Sequence, residues 1–293
     1  MASLEQLAER VASLGDLQVI VRTMKALSAA SIRQYEQAAH ALTDYYRTVE
    51  LGLHVVLRDR KMTREAEPRT DRPEGLVVFG SDHGLCGRFN EDIADRVGAY
   101  VAQSRHAERL VLAVGGRAAV RLAQIPLTVD AEFRLPGSAA RISATIGQVL
   151  LTIDEWRTHR NVERVTVFHN GYLSSSRYRP TQLTMLPVDL QHFQRLERQP
   201  WPSRVLPTYT MPAETLFASL LRQYFFVALF RACAESQASE QGSRLAAMRA
   251  AERNLEERAE DVGREFRLAR QDQITGELLD VVAGFEALAS ARD

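Results

Sequence analysis

The sequence predicts an α/β protein in which a long antiparallel coiled coil of the N- and C-terminal helices accompanies a central α/β domain. Three observations support this prediction. Proline is absent before Pro68 and again after Pro212, β-rich runs alternate with helical runs only in the middle of the chain, and prolines gather between these parts. We therefore expect an N-terminal coiled-coil helix over 1–58, an α/β domain over 75–190 and a C-terminal coiled-coil helix over 213–293.

The first helix is predicted from apolar residues at alternating three- and four-residue spacing, which is typical of a helix that packs along one face against another helix. Because glycine is a weak helix former, Gly15 is expected to be the least stable point of one continuous helix. The helix should end near the charged segment 58–74, which contains Pro68 and Pro73. The recurring apolar residues are Leu4, Leu7, Val11, Leu14, Ile32, Tyr35, Ala39, Leu42, Tyr46, Val49, Leu53 and Val56.

The middle of the chain alternates between β-rich and helical segments. Strands joined by helices indicate a mainly parallel sheet, so the central domain is predicted to be Rossmann-like. The predicted strands are 75–81, 109–115, 162–172 and, as a last candidate, 178–186, and the predicted helices are 90–105, 117–123 and 138–159.

The last helix is predicted to be the longest element, because no proline occurs in the 81 residues after Pro212. At ~1.5 Å per residue it would be on the order of 120 Å long, too long for one compact domain to bury. The partner available within the chain is the first helix. The two would pair antiparallel, because the α/β domain lies between them in sequence.

The composition excludes several classes of protein. Lysine and arginine total 37, as do aspartate and glutamate, so the chain lacks the net positive charge of a general nucleic-acid binder. Cys86 and Cys233 are too few for a disulfide framework and lack metal-ligand spacing, which favours a reducing cytosolic compartment and no bound metal.

The N-terminus does not resemble a secretory signal. The most apolar stretch, 216–230, is shorter than a membrane span and is interrupted by Arg222 and Gln223.

The segment Ser81–Asn90 is the strongest candidate for a functional site, since it is a glycine-containing turn between a predicted strand and a predicted helix, where nucleotide sites occur. It lacks the Gly-Lys-Ser/Thr of a Walker A loop, and its glycines do not follow the dinucleotide-binding pattern. Asp82, His83 and Cys86 suggest a nucleophile and its base, but adjacency in sequence does not establish a catalytic triad. The alternative is a tight structural turn in which Cys86 is a small buried group.

Three blocks of sequence together resemble the gamma-subunit family of F-type ATP synthases, the rotating central shaft of the F1 motor. Met24–Ala30 is similar to the family's Met-Lys-x-Val-Ala/Ser-Ala block, and Ser81–Asn90 is similar to its Ser-Asp-x-Gly-Leu-Cys-Gly-x-x-Asn signature. The last helix carries the most specific similarity, and the blocks follow the family's order over essentially the whole chain. The similar positions in that helix are Ser239, Glu240, Ser243, Arg244, Ala247, Met248, Ala250, Ala251, Asn254, Arg270, Gln271, Ile274, Thr275, Glu277, Leu278, Ala287 and Leu288.

The resemblance implies a rotor subunit rather than an enzyme. In that family the coiled coil lies in the central cavity of an α3β3 ring, and the α/β domain is a foot that contacts the ε subunit and the membrane c-ring. Nucleotide binds between the α and β subunits, so the resemblance implies no catalytic residue, cofactor, metal or nucleic-acid site in this chain and no direct insertion into the membrane. It also implies a peripheral position at the cytoplasmic face of the bacterial inner membrane.

Positions within the similar blocks imply the candidate site residues. Contacts with β subunits are expected from Met24, Arg244, Arg270, Gln271 and Thr275. The signature of the foot domain consists of Ser81, Asp82, Gly84, Leu85, Cys86, Gly87 and Asn90. Apolar residues near the C-terminus would either face an apolar bearing of the ring or pack against the first helix: Val281, Val282, Phe285, Leu288 and Ala289.

The chain also departs from the family pattern. Ser31 stands where the family commonly has a basic residue, Gly242-Ser243 replaces its Ala/Gly before the arginine, and 19–23 matches only loosely. These departures suggest a divergent bacterial branch, with either protons or sodium as the coupling ion. Two competing hypotheses are a free-standing α/β enzyme with helical extensions and a general coiled-coil scaffold, neither of which explains why the three blocks occur together.

Overall fold

The computed structural model divides the chain into two compact units. Unit 1 comprises 1–27 and 246–293, and unit 2 comprises 28–245. Most of the predicted loop 58–74 lies outside the described residues, as do the side chains of 284–290. The residues that the structure describes are 3–59, 71–104, 106, 108–174, 177–188, 201, 205 and 207–290.

Six α-helices and five strands are formed by the described residues. The helices are α1 Leu4–Ala41, α2 Thr43–Asp59, α3 Phe89–Gln103, α4 Gly116–Leu122, α5 Ile142–His159 and α6 Ala213–Ser290. The strands are β1 Glu74–Phe79, β2 Arg109–Val114, β3 Ala131–Phe133, β4 Arg164–Ser174 and β5 Arg177–Leu186.

The predicted continuous first helix is interrupted at Leu42, and the prediction is wrong at that point. Thr43 and Asp44 follow the interruption. Threonine and aspartate favour helix starts over helix interiors, because their side chains compete for nearby backbone groups. Gly15, the expected weak point, lies inside α1, and a Cβ added there would meet no atom within 4 Å.

The sheet of unit 2 has the strand order β3-β2-β1-β4-β5. The first four strands in this order are parallel, and β5 pairs antiparallel with β4 at one edge. The mainly parallel α/β prediction is therefore confirmed. Sequence patterning missed β3, because three residues are too few to show alternation.

Helices cover both faces of the sheet. Alternate side chains of β1 point to opposite faces, so Val77 and Phe79 pack with α5 and α6, whereas Leu76 and Val78 pack with α3 and α4. All four side chains are fully buried. Unit 2 thus has a three-layer arrangement in which the carboxyl ends of β1 and β2 meet at one edge.

Within unit 2, α2 packs against the first turns of α6. Val49, Leu53 and Leu57 form a buried cluster with apolar side chains of α6. A Cβ on Gly52 would lie 3.0 Å from Leu220 Cδ2, so the glycine allows the two helices to approach closely. The α6 partners in this cluster are Phe217, Leu220, Leu221 and Tyr224.

Within unit 1, the first part of α1 pairs with α6 in the antiparallel sense. Lys25 Nζ donates to Glu252 Oε1 at 2.8 Å. Earlier residues of α1, from Gln6 to Leu17, line a groove with later residues of α6, from Arg258 to Val262. The predicted antiparallel coiled coil is therefore present in this unit.

By length and composition, α6 could cross a membrane, since one 18-residue window has a mean hydropathy of 1.3. Core helices of soluble proteins meet the same criterion. In unit 2, Val227, Leu229 and Phe230 of α6 are buried, and the latter two belong to the core on one face of the sheet.

Candidate functional site

The segment Ser81–Asn90, here called the signature loop, joins β1 to α3 at the carboxyl edge of the parallel strands. Its two ends are tied together: Ser81 N donates to Asn90 Oδ1 at 3.0 Å, and Asn90 Nδ2 donates to Ser81 Oγ at 2.7 Å. Both residues are buried, so each hydrogen bond also satisfies a polar group removed from water. The loop is therefore a closed turn.

Asp82 links the signature loop to the ends of two neighbouring strands. Its Oδ1 accepts a hydrogen bond from Gly116 N at 2.9 Å, and its Oδ2 accepts one from Leu135 N at 3.0 Å. Gly116 is the first residue of α4, and free amides at a helix start are where Rossmann-like folds bind phosphate. A carboxylate of the chain itself thus accepts from the first amide of this helix.

Backbone geometry explains one signature glycine but not the other. Gly87 has φ +60°, a conformation that favours glycine, whereas Gly84 has room for a Cβ, which would lie 3.6 Å from Arg117 Nη2. Leu85 adopts φ +61° without being glycine, and its side chain is exposed. A non-glycine residue in this region costs on the order of 1 kcal/mol.

The side chains of Cys86 and His83 do not form a nucleophile and base. Cys86 is buried, whereas His83 is exposed, and the Cys86 thiol approaches the backbone oxygen of His83, at 3.7 Å. Burial raises the pKa of the Cys86 thiol, although a hydrogen bond with Ser81 opposes the shift. The thiol is therefore protonated at neutral pH, which is the unreactive form. Among the described residues, no group of three or more His, Cys, Asp or Glu could hold a metal ion.

Four polar side chains of α6 face the signature loop and the neighbouring strand β4. Ser243 Oγ donates to Cys86 O at 2.6 Å, and Arg244 Nη2 donates to Gly84 O at 3.3 Å. One turn earlier, Ser239 Oγ donates to Asn170 O at 2.9 Å. The contacts repeat every four residues, so they lie on one face of the helix.

The fourth side chain, Glu240, forms a buried ion pair with Arg244. Arg244 Nη2 lies 2.6 Å from Glu240 Oε1, and the two residues are 6% and 5% exposed. Burial raises the pKa of Glu240, and the attraction of Arg244 only partly opposes that rise. Breaking such a pair is costly, because it leaves an uncompensated charge in the interior.

The structure places the five predicted contact residues in two groups. Arg244 belongs to unit 2 and is buried beside the signature loop. The others belong to unit 1, where Arg270, Gln271 and Thr275 are exposed on α6 and Met24 is half-buried on α1. Thr275 Oγ1 donates to the backbone oxygen of Gln271 at 2.9 Å, so this bond does not use the side-chain amide of Gln271.

Sequence reasoning missed the roles of Ser239, Glu240 and Asn170 at this site. A signal for the first two was present: polar residues recur at four-residue spacing in an alanine-rich helix, where a buried face would otherwise be apolar. Asn170 had a weaker signal as an amide at the end of an apolar strand. Its Nδ2 donates to Phe89 O at 3.0 Å and so supports the end of the signature loop.

Comparison with known proteins identifies the family. A family model described as ATP synthase matches residues 3–288, nearly the whole chain. The chain belongs to the ATP synthase family. The ATP synthase gamma chain of Desulfitobacterium hafniense is 27% identical over 98% of this chain and all of its own length, and that of Anaeromyxobacter sp. is 28% identical with the same coverage.

Solved ATP synthase structures share the fold. A chain of the Euglena gracilis mitochondrial ATP synthase, in a structure of OSCP, F1 and c-ring, superposes with a TM-score of 0.65 at 16% identity. The match covers 99% of this chain and 96% of that one. A second Euglena gracilis structure, of the rotor, gives a TM-score of 0.62 at 17% identity and covers 92% and 98% of the two chains.

These matches decide between the competing hypotheses. The relatives are gamma chains along their full length, so the α/β domain and the long helices belong to one ATP synthase stalk subunit. In this family gamma is non-catalytic. Neither a free-standing α/β enzyme nor a general scaffold is favoured. The subunit is a peripheral component of a membrane-bound complex.

Proposed function

We propose that this chain is the central rotor shaft of an F-type ATP synthase, coupling ion-driven rotation to the conformational cycle of catalytic β subunits. The observation that carries the proposal is the family match over 3–288, which includes both paired helices and the α/β domain. The antiparallel pairing in unit 1 supports a shaft, since two helices resist bending and twisting better than one.

The proposed mechanism is allosteric and mechanical. One asymmetric shaft inside a ring of three αβ pairs makes different contacts with each β subunit. Each β is therefore biased towards a different conformation and nucleotide affinity, because contacts that differ between conformations shift their populations. Rotation of the shaft moves these biases from one β to the next. Run in reverse, hydrolysis turns the shaft and pumps ions.

Five residues are proposed to contribute to the contacts with β. The exposed side chains of Arg270, Gln271 and Thr275 and the half-buried Met24 support direct contact, because they present polar or apolar groups at the surface of unit 1. Arg244 supports a different route. Its hydrogen bond to Gly84 O means that its contribution would pass through the signature loop.

The α/β domain over 75–190 is proposed as the foot that contacts the ε subunit and the c-ring, with the coiled-coil segments 1–58 and 213–293 forming the shaft. One related structure contains F1 together with a c-ring and another is of a rotor, which supports this assignment. The two gamma chains named above come from bacteria, which supports a position at the cytoplasmic face of the inner membrane.

Assembly with α and β subunits from the same source tests the proposal. We expect the isolated chain to be inactive, and we expect the mixture to form an α3β3γ-sized complex with steady ATP hydrolysis above that of α and β alone. ATPase activity and hydrodynamic mass measure both points. Hydrolysis by the isolated chain, or no association with α and β, would contradict the proposal.

A further inference from the structure

One segment of α6 is buried but polar, and the proposed function does not yet account for it. From Ser236 to Glu240 every residue is buried, although four of the five are polar. Elsewhere in unit 2, α6 meets the rest of the unit mainly through apolar side chains. Burying polar groups is costly unless they are hydrogen-bonded, so this segment needs a physical explanation.

Hydrogen bonds from this segment and from the helical turn that follows it connect α6 with two separate parts of the α/β domain. Ser239 bonds to the backbone of Asn170 in β4, and Ser243 bonds to the backbone of Cys86 in the signature loop. The Glu240–Arg244 pair adds the bond to Gly84 O. We call this set of four α6 side chains and their backbone partners the polar seam.

Such a seam adds a directional restraint to apolar packing. The hydrophobic effect itself has no preferred direction, so it does not by itself select one rotational position of a helix. Hydrogen bonds need alignment of donor and acceptor. A one-residue slip turns a helix by about 100°, which would bring Gly242 or Arg244 to the place of Ser243 opposite Cys86 O. It would also separate Glu240 from its buried setting.

We propose that the polar seam is a torsional lock that fixes the rotational position of α6 against the sheet, so that torque passes between them without slip. This inference rests on the proposed function as a rotor shaft. Ser239 and Ser243 act as positioning residues, because each holds the helix to a backbone oxygen and neither is assigned a contact with another subunit.

The chain offers a matched control for the lock. Ser236 lies on the same helix and is 1% exposed, but its Oγ has no hydrogen-bond partner among the described residues. Ser236→Ala therefore removes the same hydroxyl from the same buried segment without removing a hydrogen bond. The test variant is Ser239→Ala combined with Ser243→Ala, with Ser243→Ala alone as the second variant should the double variant fold poorly.

The test uses the assembled ATP synthase in vesicles. Amide hydrogen exchange in Ser81–Asn90 reports opening of the seam, and ion pumping per ATP hydrolysed reports torque transmission. We expect exchange to rise about fivefold for each hydrogen bond removed, since a net bond is worth roughly 1 kcal/mol. We expect pumping per ATP to fall in the test variant, with ATP hydrolysis retained and Ser236→Ala unchanged in both measurements.

Three results would overturn the lock. The first is exchange at the wild-type rate in the test variant, the second is faster exchange with unchanged pumping per ATP, and the third is a loss of coupling in Ser236→Ala as large as in the test variant. The second of these would make the seam purely structural. Failure of the wild-type chain to assemble and stimulate hydrolysis is a different result, since it overturns the proposed function and the lock together.

Discussion

At the scale of single residues, the signature loop uses polar side chains to hold its own backbone. Asp82 accepts hydrogen bonds from the amides of Gly116 and Leu135, and Asn90 closes the loop onto Ser81. A Rossmann-like domain that binds nucleotide leaves such amides for phosphate. Here the Asp82 carboxylate accepts from both amides, so neither of them is free to bind a phosphate group.

Asp82→Ala is therefore expected to destabilise unit 2. Two backbone amides lose a charged acceptor, which should cost about 3 kcal/mol in the free energy of unfolding. Urea unfolding followed by tryptophan fluorescence measures the change, because Trp156 and Trp201 both belong to unit 2. Asp95→Ala is the control, since Asp95 is exposed and pairs only at the surface with Arg88. A loss as small as that of the control would contradict the role given to Asp82.

At the scale of elements, the paired helices of unit 1 are stabilised by a narrow face of each helix. Leu7, Val21 and Met248 are buried, whereas Val19 is 63% exposed and Leu27 is exposed to the same extent. The ion pair of Lys25 with Glu252 adds an interaction between the helices. A narrow apolar face is typical of a coiled coil and leaves much of each helix surface for contacts with other chains.

Val21→Ala should destabilise the helix pair by about 2 kcal/mol, because it removes two buried methyl groups and leaves a small cavity. Val19→Ala makes the same chemical change two residues away at an exposed position and should alter stability by less than about 0.5 kcal/mol. Thermal unfolding followed by circular dichroism, with amide exchange in α1, compares the two. An equal loss of stability in the two variants would show that Val21 does not lie on the buried face of α1.

At the scale of the whole molecule, the chain combines an α/β domain with a helix of 78 residues, α6, whose later part is exposed. All side chains from 271 to 283 are exposed. Val281 and Val282 are among them at 67% and 53%, so the alternative in which these two pack against the first helix is not seen. An exposed apolar helix end is consistent with the proposed bearing, and the side chains of Phe285, Leu288 and Ala289 lie outside the described residues.

Gln271→Ala is expected to weaken coupling between ATP hydrolysis and ion pumping while leaving the fold intact, because the residue is exposed and is proposed to contact β. Gln273→Ala provides the control, since Gln273 is exposed on the same helix two residues away and bonds within the helix to Glu277. Pumping per ATP in vesicles and thermal stability measure the two effects. Normal coupling in the Gln271 variant would count against its proposed contact.

The sequence by itself determined the α/β class, the parallel strands, the long last helix and the family, because each depends on local periodicity, proline placement or short motifs. The interruption at Leu42, the short strand β3 and the burial of Arg244 were decided only by tertiary structure. So were the bonds of Asp82 and the bonds from the polar seam to the backbone of β4 and the signature loop, which join residues 34 to 160 positions apart. Periodicity reports which face of a helix is apolar, but contacts between distant segments depend on how the whole chain packs. For that reason the sequence could place Arg244 on the last helix, four residues after Glu240, but could not show that Arg244 is buried and donates to the backbone oxygen of Gly84.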